Sequence, residues 1–62
     1  MARSVYEELR ENIVNGRYEA GAPLVETALA TEFSVSRTPI REALRRLEQD
    51  GLVERGSRGM HV

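Results

Sequence analysis

Arg37, Arg41 and Arg45 recur every four residues, with Ser36 and Thr38 beside the first of them. A guanidinium presents a planar fork of N–H donors that matches phosphate, and the O6/N7 edge of guanine, bidentately. Ser and Thr hydroxyls add short donors suited to phosphate oxygens. All nine basic residues of the chain are arginine, which reads first as the mark of a GC-rich genome, so the placement is more informative than the residue type. Residues 36–62 hold six arginines against Glu42, Glu48, Asp50 and Glu54, a balance of +2, while residues 1–35 hold Arg3, Arg10 and Arg17 against six carboxylates, a balance of −3. The net charge of −1 hides this split, and such asymmetry points to a polyanion-binding end.

Those arginines need a helix to align them. Ile40, Ala43, Leu44 and Leu47 follow the i, i+3, i+4, i+7 pattern of an inward face, which predicts a helix over 37–50 ended by Asp50-Gly51. Arg37, Arg41 and Arg45 then form its outer flank, with Thr38 beside Arg45. Either Ser36 or Thr38 can cap it; with Thr38 as cap, Pro39 takes the first helical position, which it favours. The competing reading is a solvated face, in which Arg45 pairs with Glu48 at i+3; Arg41 cannot turn to its neighbour Glu42. Arg46 and Arg55 carry no specific signal.

Upstream, Ser4-Val-Tyr-Glu7 has capping-box spacing, and Val5, Leu9 and Ile13 recur every four residues until Asn15-Gly16, predicting a helix over 5–15. A loop with a brief extended stretch at Pro23-Leu24 follows. A short helix is predicted over 25–33, with Val25, Ala28, Leu29 and Phe33 on one face. Only Ser34, Val35 and Ser36 separate it from the arginine-bearing helix, and so tight a joint defines a helix-turn-helix. Ala30 is small where the helices approach, and Leu29, Phe33, Val35, Ile40 and Ala43 fall in their shared core. After Gly51, the segment 52–62 reads as a two-stranded β-hairpin tipped by Gly56-Ser-Arg-Gly59. Arg58 and Gly59 at that tip suit entry into a minor groove, whose negative potential attracts arginine. The expected fold is mainly α, a small α+β three-helix winged helix-turn-helix with a C-terminal hairpin wing, in one domain over residues 1–62.

Composition sets limits on other functions. A chain of 62 residues buries only roughly 60% of the surface its unfolded form exposes, and it has no cysteine with which to staple itself. The absence of cysteine fits a reducing, cytoplasmic setting. No apolar run is long enough for a membrane span. The lone histidine, His61, lacks ligand partners in the sequence, and no nucleophile–base pair, metal cluster or phosphate-cradling glycine loop is present, so neither cofactor nor catalysis is expected. A protein-docking winged helix is the main alternative, but it needs an exposed apolar patch that the sequence does not offer.

The run Val35-Ser-Arg-Thr-Pro-Ile-Arg-Glu-Ala-Leu44, followed by Arg46-Leu47 and Gly51-Leu-Val53, resembles the signature of the GntR family of bacterial transcription regulators, and most closely its FadR-like subfamily. Ile13-Val-Asn-Gly16, Gly21, Leu24-Val-Glu26, Leu29-Ala30 and Arg58-Gly59 also sit where that family has its corresponding residues, so the resemblance covers residues 4–62. It implies a winged helix-turn-helix that binds double-stranded DNA at palindromic operators as a homodimer. Ser36, Arg37, Thr38 and Arg41 match the positions that contact bases and phosphates, and Arg58-Gly59 matches the wing tip. Two departures matter. Thr27 stands where some members carry a DNA-contacting arginine, which weakens that candidate contact, and Ser34 stands where glycine is usual, which predicts a left-handed or strained residue in the turn. The resemblance also implies a C-terminal helical domain that binds a small-molecule effector and supplies most of the dimer interface. The 62 residues are expected to be the DNA-binding part alone, largely monomeric when isolated.

Overall fold

The computed structural model describes residues 3–57 and 59–62. Its elements run α1 (Val5–Val14), β1 (Pro23–Leu24), α2 (Glu26–Phe33), α3 (Arg37–Gln49), β2 (Glu54–Gly56) and β3 (Gly59–His61). Each helix stops or starts within a residue of the bounds read from the sequence.

The capping box at the start of α1 is complete: the Glu7 amide donates to Ser4 Oγ at 3.1 Å, and the Ser4 amide donates to Glu7 Oε1 at 3.3 Å. The Ser4 amide, together with the Ser4 hydroxyl, which donates to the same Glu7 Oε1 at 3.0 Å, holds the Glu7 carboxyl below the usual carboxylate range. The amphipathic spacing then buries Leu9 completely, with Val5, Tyr6 and Ile13 packed at the margin of the core. Leu9 meets Ile40, Leu47 and Val53, the other fully buried side chains, in a core that also takes Leu24, Leu29, Ala30, Ala43, Leu44 and Met60.

All three helices end alike. The Arg17 amide bonds the Asn12 carbonyl at 2.9 Å, Val35 bonds Ala30 at 3.0 Å, and Leu52 bonds Leu47 at 3.0 Å. This closure needs a left-handed residue just before the donor. Gly16 and Gly51 supply it at φ 79°, and Ser34 supplies it at φ 56°, ψ 44°. The strained serine expected from the missing glycine is therefore found.

The wing is broader than a two-stranded hairpin. β3 lies between β2 and β1 in an antiparallel sheet ordered β1-β3-β2, with Gly56 opposite Gly59, Arg55 opposite Met60, and Leu24 also opposite Met60 on the other side. Gly21 and Ala22 extend the β1 pairing through bonds of 2.8 and 3.0 Å to Val62. The short extended stretch at Pro23-Leu24 thus fastens the wing to the helical core.

That strand also corrects the face assigned to α2. Leu24 turns inward and is buried, while Val25, extended at the helix N-cap, is 52% exposed. Ala28 is likewise exposed, so α2 buries Leu29 and Ala30, with Phe33 half-buried. Because the strand fills the space before the helix, the apolar stripe begins one residue earlier than helical periodicity places it.

Candidate nucleic-acid interface

α3 carries two faces with opposite fates. Ile40, Ala43, Leu44 and Leu47 are buried as the periodicity requires, whereas Arg37, Thr38, Arg41 and Arg45 are exposed. Ser36 occupies the N-cap in extended conformation, but its side chain makes no capping bond. Of the two capping options read from the sequence, Ser36 holds the cap position and so places Pro39 third in the helix, but its hydroxyl does not bond the first-turn amides; Thr38 lies inside the helix.

This helix start differs electrostatically from the other two. α1 carries Glu7 and Glu8 in its first turn and α2 carries Glu26, but the first turn of α3 has no acidic residue. The positive end of its dipole is thus not offset by its own side chains, and an anion placed there is favoured. An exposed hydroxyl at Ser36, an exposed guanidinium at Arg37 and an exposed hydroxyl at Thr38 converge at that end.

The arginines are not equivalent. Arg41 donates from Nη2 to Glu26 Oε1 at 3.3 Å, so it is engaged by α2 rather than by Glu42. The competing pair of Arg45 with Glu48 does not form; Glu48 instead lies 3.8 Å from Arg55 of β2. Among the described residues, Arg37 and Arg45 make no ion pair. Arg46 points elsewhere, with its guanidinium 4.0 Å from the centroid of the Tyr6 ring, and the Tyr6 hydroxyl donates to Asp50. That contact joins α1 to the far side of α3 and takes Arg46 out of the exposed flank.

Thr27 is exposed on α2, and its carbonyl accepts the Thr31 hydroxyl at 3.1 Å. Gly59, at φ 111°, opens β3 opposite Gly56 with open space around its α-carbon, a backbone that L side chains rarely adopt. Arg58, the other wing-tip candidate, lies outside the described residues. His61 faces Glu54 across the β2–β3 ladder, its Nε2 3.4 Å from Glu54 Oε2, so its neighbour is a strand partner. Glu26 was missed by sequence reasoning as a functional candidate. Its partner is fifteen positions away in another helix, beyond the reach of any helical period.

Among the described residues, no group of three or more His, Cys, Asp or Glu side chains is placed to hold a metal ion. No helix among them is long and apolar enough to cross a membrane.

The family model for "Bacterial regulatory proteins, gntR family" matches residues 1–62. The uncharacterized HTH-type transcriptional regulator YdhC of Bacillus subtilis is 49% identical over 53 residues, which covers 86% of this chain and 24% of that protein. The gluconate operon transcriptional repressor of Bacillus licheniformis is 52% identical over 46 residues, covering 74% of this chain and 19% of the repressor. A crystal structure of a GntR-family transcriptional regulator from Pseudomonas syringae pv. tomato superposes with a TM-score of 0.88 at 42% identity, over 94% of this chain and 25% of the other. The chain spans about a quarter or less of the length of these relatives. They are transcription regulators rather than enzymes. With the model matched from first residue to last, the chain belongs to the gntR family of bacterial regulatory proteins and is the winged-helix DNA-binding domain of a transcription regulator.

Proposed function

We propose that α3 enters the major groove of one half of a palindromic operator, with Ser36, Arg37, Thr38, Arg41 and Arg45 facing the DNA. The wing tip at Arg58-Gly59 reaches the adjacent minor groove, and Thr27 lies at the edge of the contact. The observation that carries this reading is the start of α3: it is uncapped by Ser36, free of acidic residues in its first turn, and flanked by exposed Arg37 and Arg41. A recognition helix meets DNA with its N-terminal part, where phosphate gains from the dipole and base edges gain from the fork.

Around that contact, the domain over 1–62 acts within a longer cytoplasmic regulator of the FadR-like kind. Dimerisation and effector binding belong to the remainder of that protein, and the domain itself performs no catalysis and needs no cofactor. A protein-docking role is disfavoured by the surface, where the large exposed hydrophobics among the described residues are Val14 and Val25, on different elements. The test is selection of bound duplexes from a randomised pool followed by sequencing. Enrichment of a half-site, becoming a palindrome when two copies are tethered, is the expected result. A bound pool as random as the input would overturn the reading.

A further inference from the structure

Arg41 reaches back 3.3 Å to Glu26, and this is the ion pair among the described residues that ties α2 to the exposed flank of α3. Both partners are open to solvent, with 57% of the Arg41 side chain and 34% of the Glu26 side chain exposed. A pair so exposed adds little to stability. Its geometric consequence is larger. An arginine on a flexible stem sweeps a wide arc, but Glu26 is the first residue of α2, its backbone set by the extended Val25 and the buried Leu24. Its carboxylate also sits at the positive end of the α2 dipole. Glu26 is the better anchored of the two, and it holds one donor of the Arg41 fork while the others stay unengaged among the described residues.

A carboxylate on a surface that approaches phosphates also weakens binding to DNA of any sequence, because part of the cationic charge is already neutralised. Glu26 therefore has two opposed effects, one on affinity and one on aim. We propose that Glu26 is a positioning residue that sets the base-pair preference of Arg41 at the cost of sequence-independent affinity. The proposal rests on the reading that α3 enters the major groove.

The experiment is duplex selection and competition titration on the 62-residue chain and its E26A, E26Q, R41A and E26A/R41A variants, with melting curves for each. R41A should lose preference at one base pair per half-site, by about tenfold. E26A should lose preference at that same base pair, bind mixed-sequence DNA more tightly than the parent, and melt close to it. The double variant should lose no more than R41A alone, since both act through one contact. E26Q keeps an acceptor oxygen without the charge, so it should retain most of the preference while sharing the tighter mixed-sequence binding. The proposal is overturned if E26A keeps the preference, or loses it at a different base pair. Should R41A itself leave every preference intact, Arg41 is no base contact and the proposal falls with that reading. If R41A relaxes the preference and E26A does not, the major-groove reading stands and only the role of Glu26 is lost.

Discussion

Ser34 ends α2 in the conformation in which Gly51 ends α3: φ is 56° at one and 79° at the other, and the amides that follow, Val35 and Leu52, each close onto their helix at 3.0 Å. The same closure is thus made once with a side chain and once without. A β-carbon in the left-handed region crowds the following carbonyl, and glycine escapes that cost.

Ser34→Gly is therefore expected to stabilise the domain by roughly 0.5–1 kcal/mol, which raises the melting temperature by a few degrees in a chain of this size. The reverse change, Gly51→Ser, should lower it by a similar amount. A thermal melt checks both. A Ser34→Gly variant that melts below the parent would show that the turn is relaxed as it stands.

The joint between α2 and α3 was legible because its signals are local. Inward spacing at Ile40, Ala43, Leu44 and Leu47 fixes the face of α3, and a serine where glycine is usual marks the strained turn. Elements that depend on distant neighbours were less legible. β1 is two residues long, and its pairing with β3 is set by the wing rather than by its own composition. Val25 reads as apolar and inward until Leu24 takes that place. Arg46 gave no signal alone, although Asp50 lies one turn beyond it and Tyr6 is the aromatic that both reach.

Both tyrosine hydroxyls donate to carboxylates, Tyr6 to Asp50 and Tyr18 to Glu32 at 3.1 Å. The bond to Asp50 chiefly raises the Tyr6 pKa, and burial followed by the bond to Glu32 raises that of Tyr18. Because the folded state favours the protonated phenol, this stabilisation is present below the ordinary tyrosine pKa of about 10 and is lost as pH rises through the raised values. An ultraviolet titration of the folded chain should run to higher pH than that of the chain unfolded in urea. Superimposable curves would contradict the two contacts.

The capping box has the opposite pH dependence. Glu7 is held below its ordinary pKa by the Ser4 amide and hydroxyl, so its contribution is present above about pH 4.3 and disappears as pH falls through the lowered value. The melting temperature of Glu7→Gln should lie below that of the parent at neutral pH, and the gap should narrow under acid. A gap independent of pH would mean that the charge of Glu7 contributes nothing.

Thr27 offers a gain of function. It is exposed on α2, and with α3 in the major groove as proposed an arginine at this position would reach the DNA. Thr27→Arg should tighten binding and, if the new guanidinium meets a phosphate, steepen the dependence of log affinity on log salt by about 0.9. Binding measured at several salt concentrations checks this, and unchanged affinity with unchanged slope would place α2 away from the backbone.

The place of α3 in the interface is measured most directly by a map of backbone amide shifts as the 62-residue chain is titrated with a duplex recovered by selection. The largest changes are expected from Ser36 through Arg45, with a second group at the wing around Ser57 and Gly59, and little change at Glu8 or Glu11 on the outer side of α1. Changes centred on Tyr6, Arg46 and the α1 side of the molecule, with α3 from Ser36 to Arg41 unmoved, would contradict it.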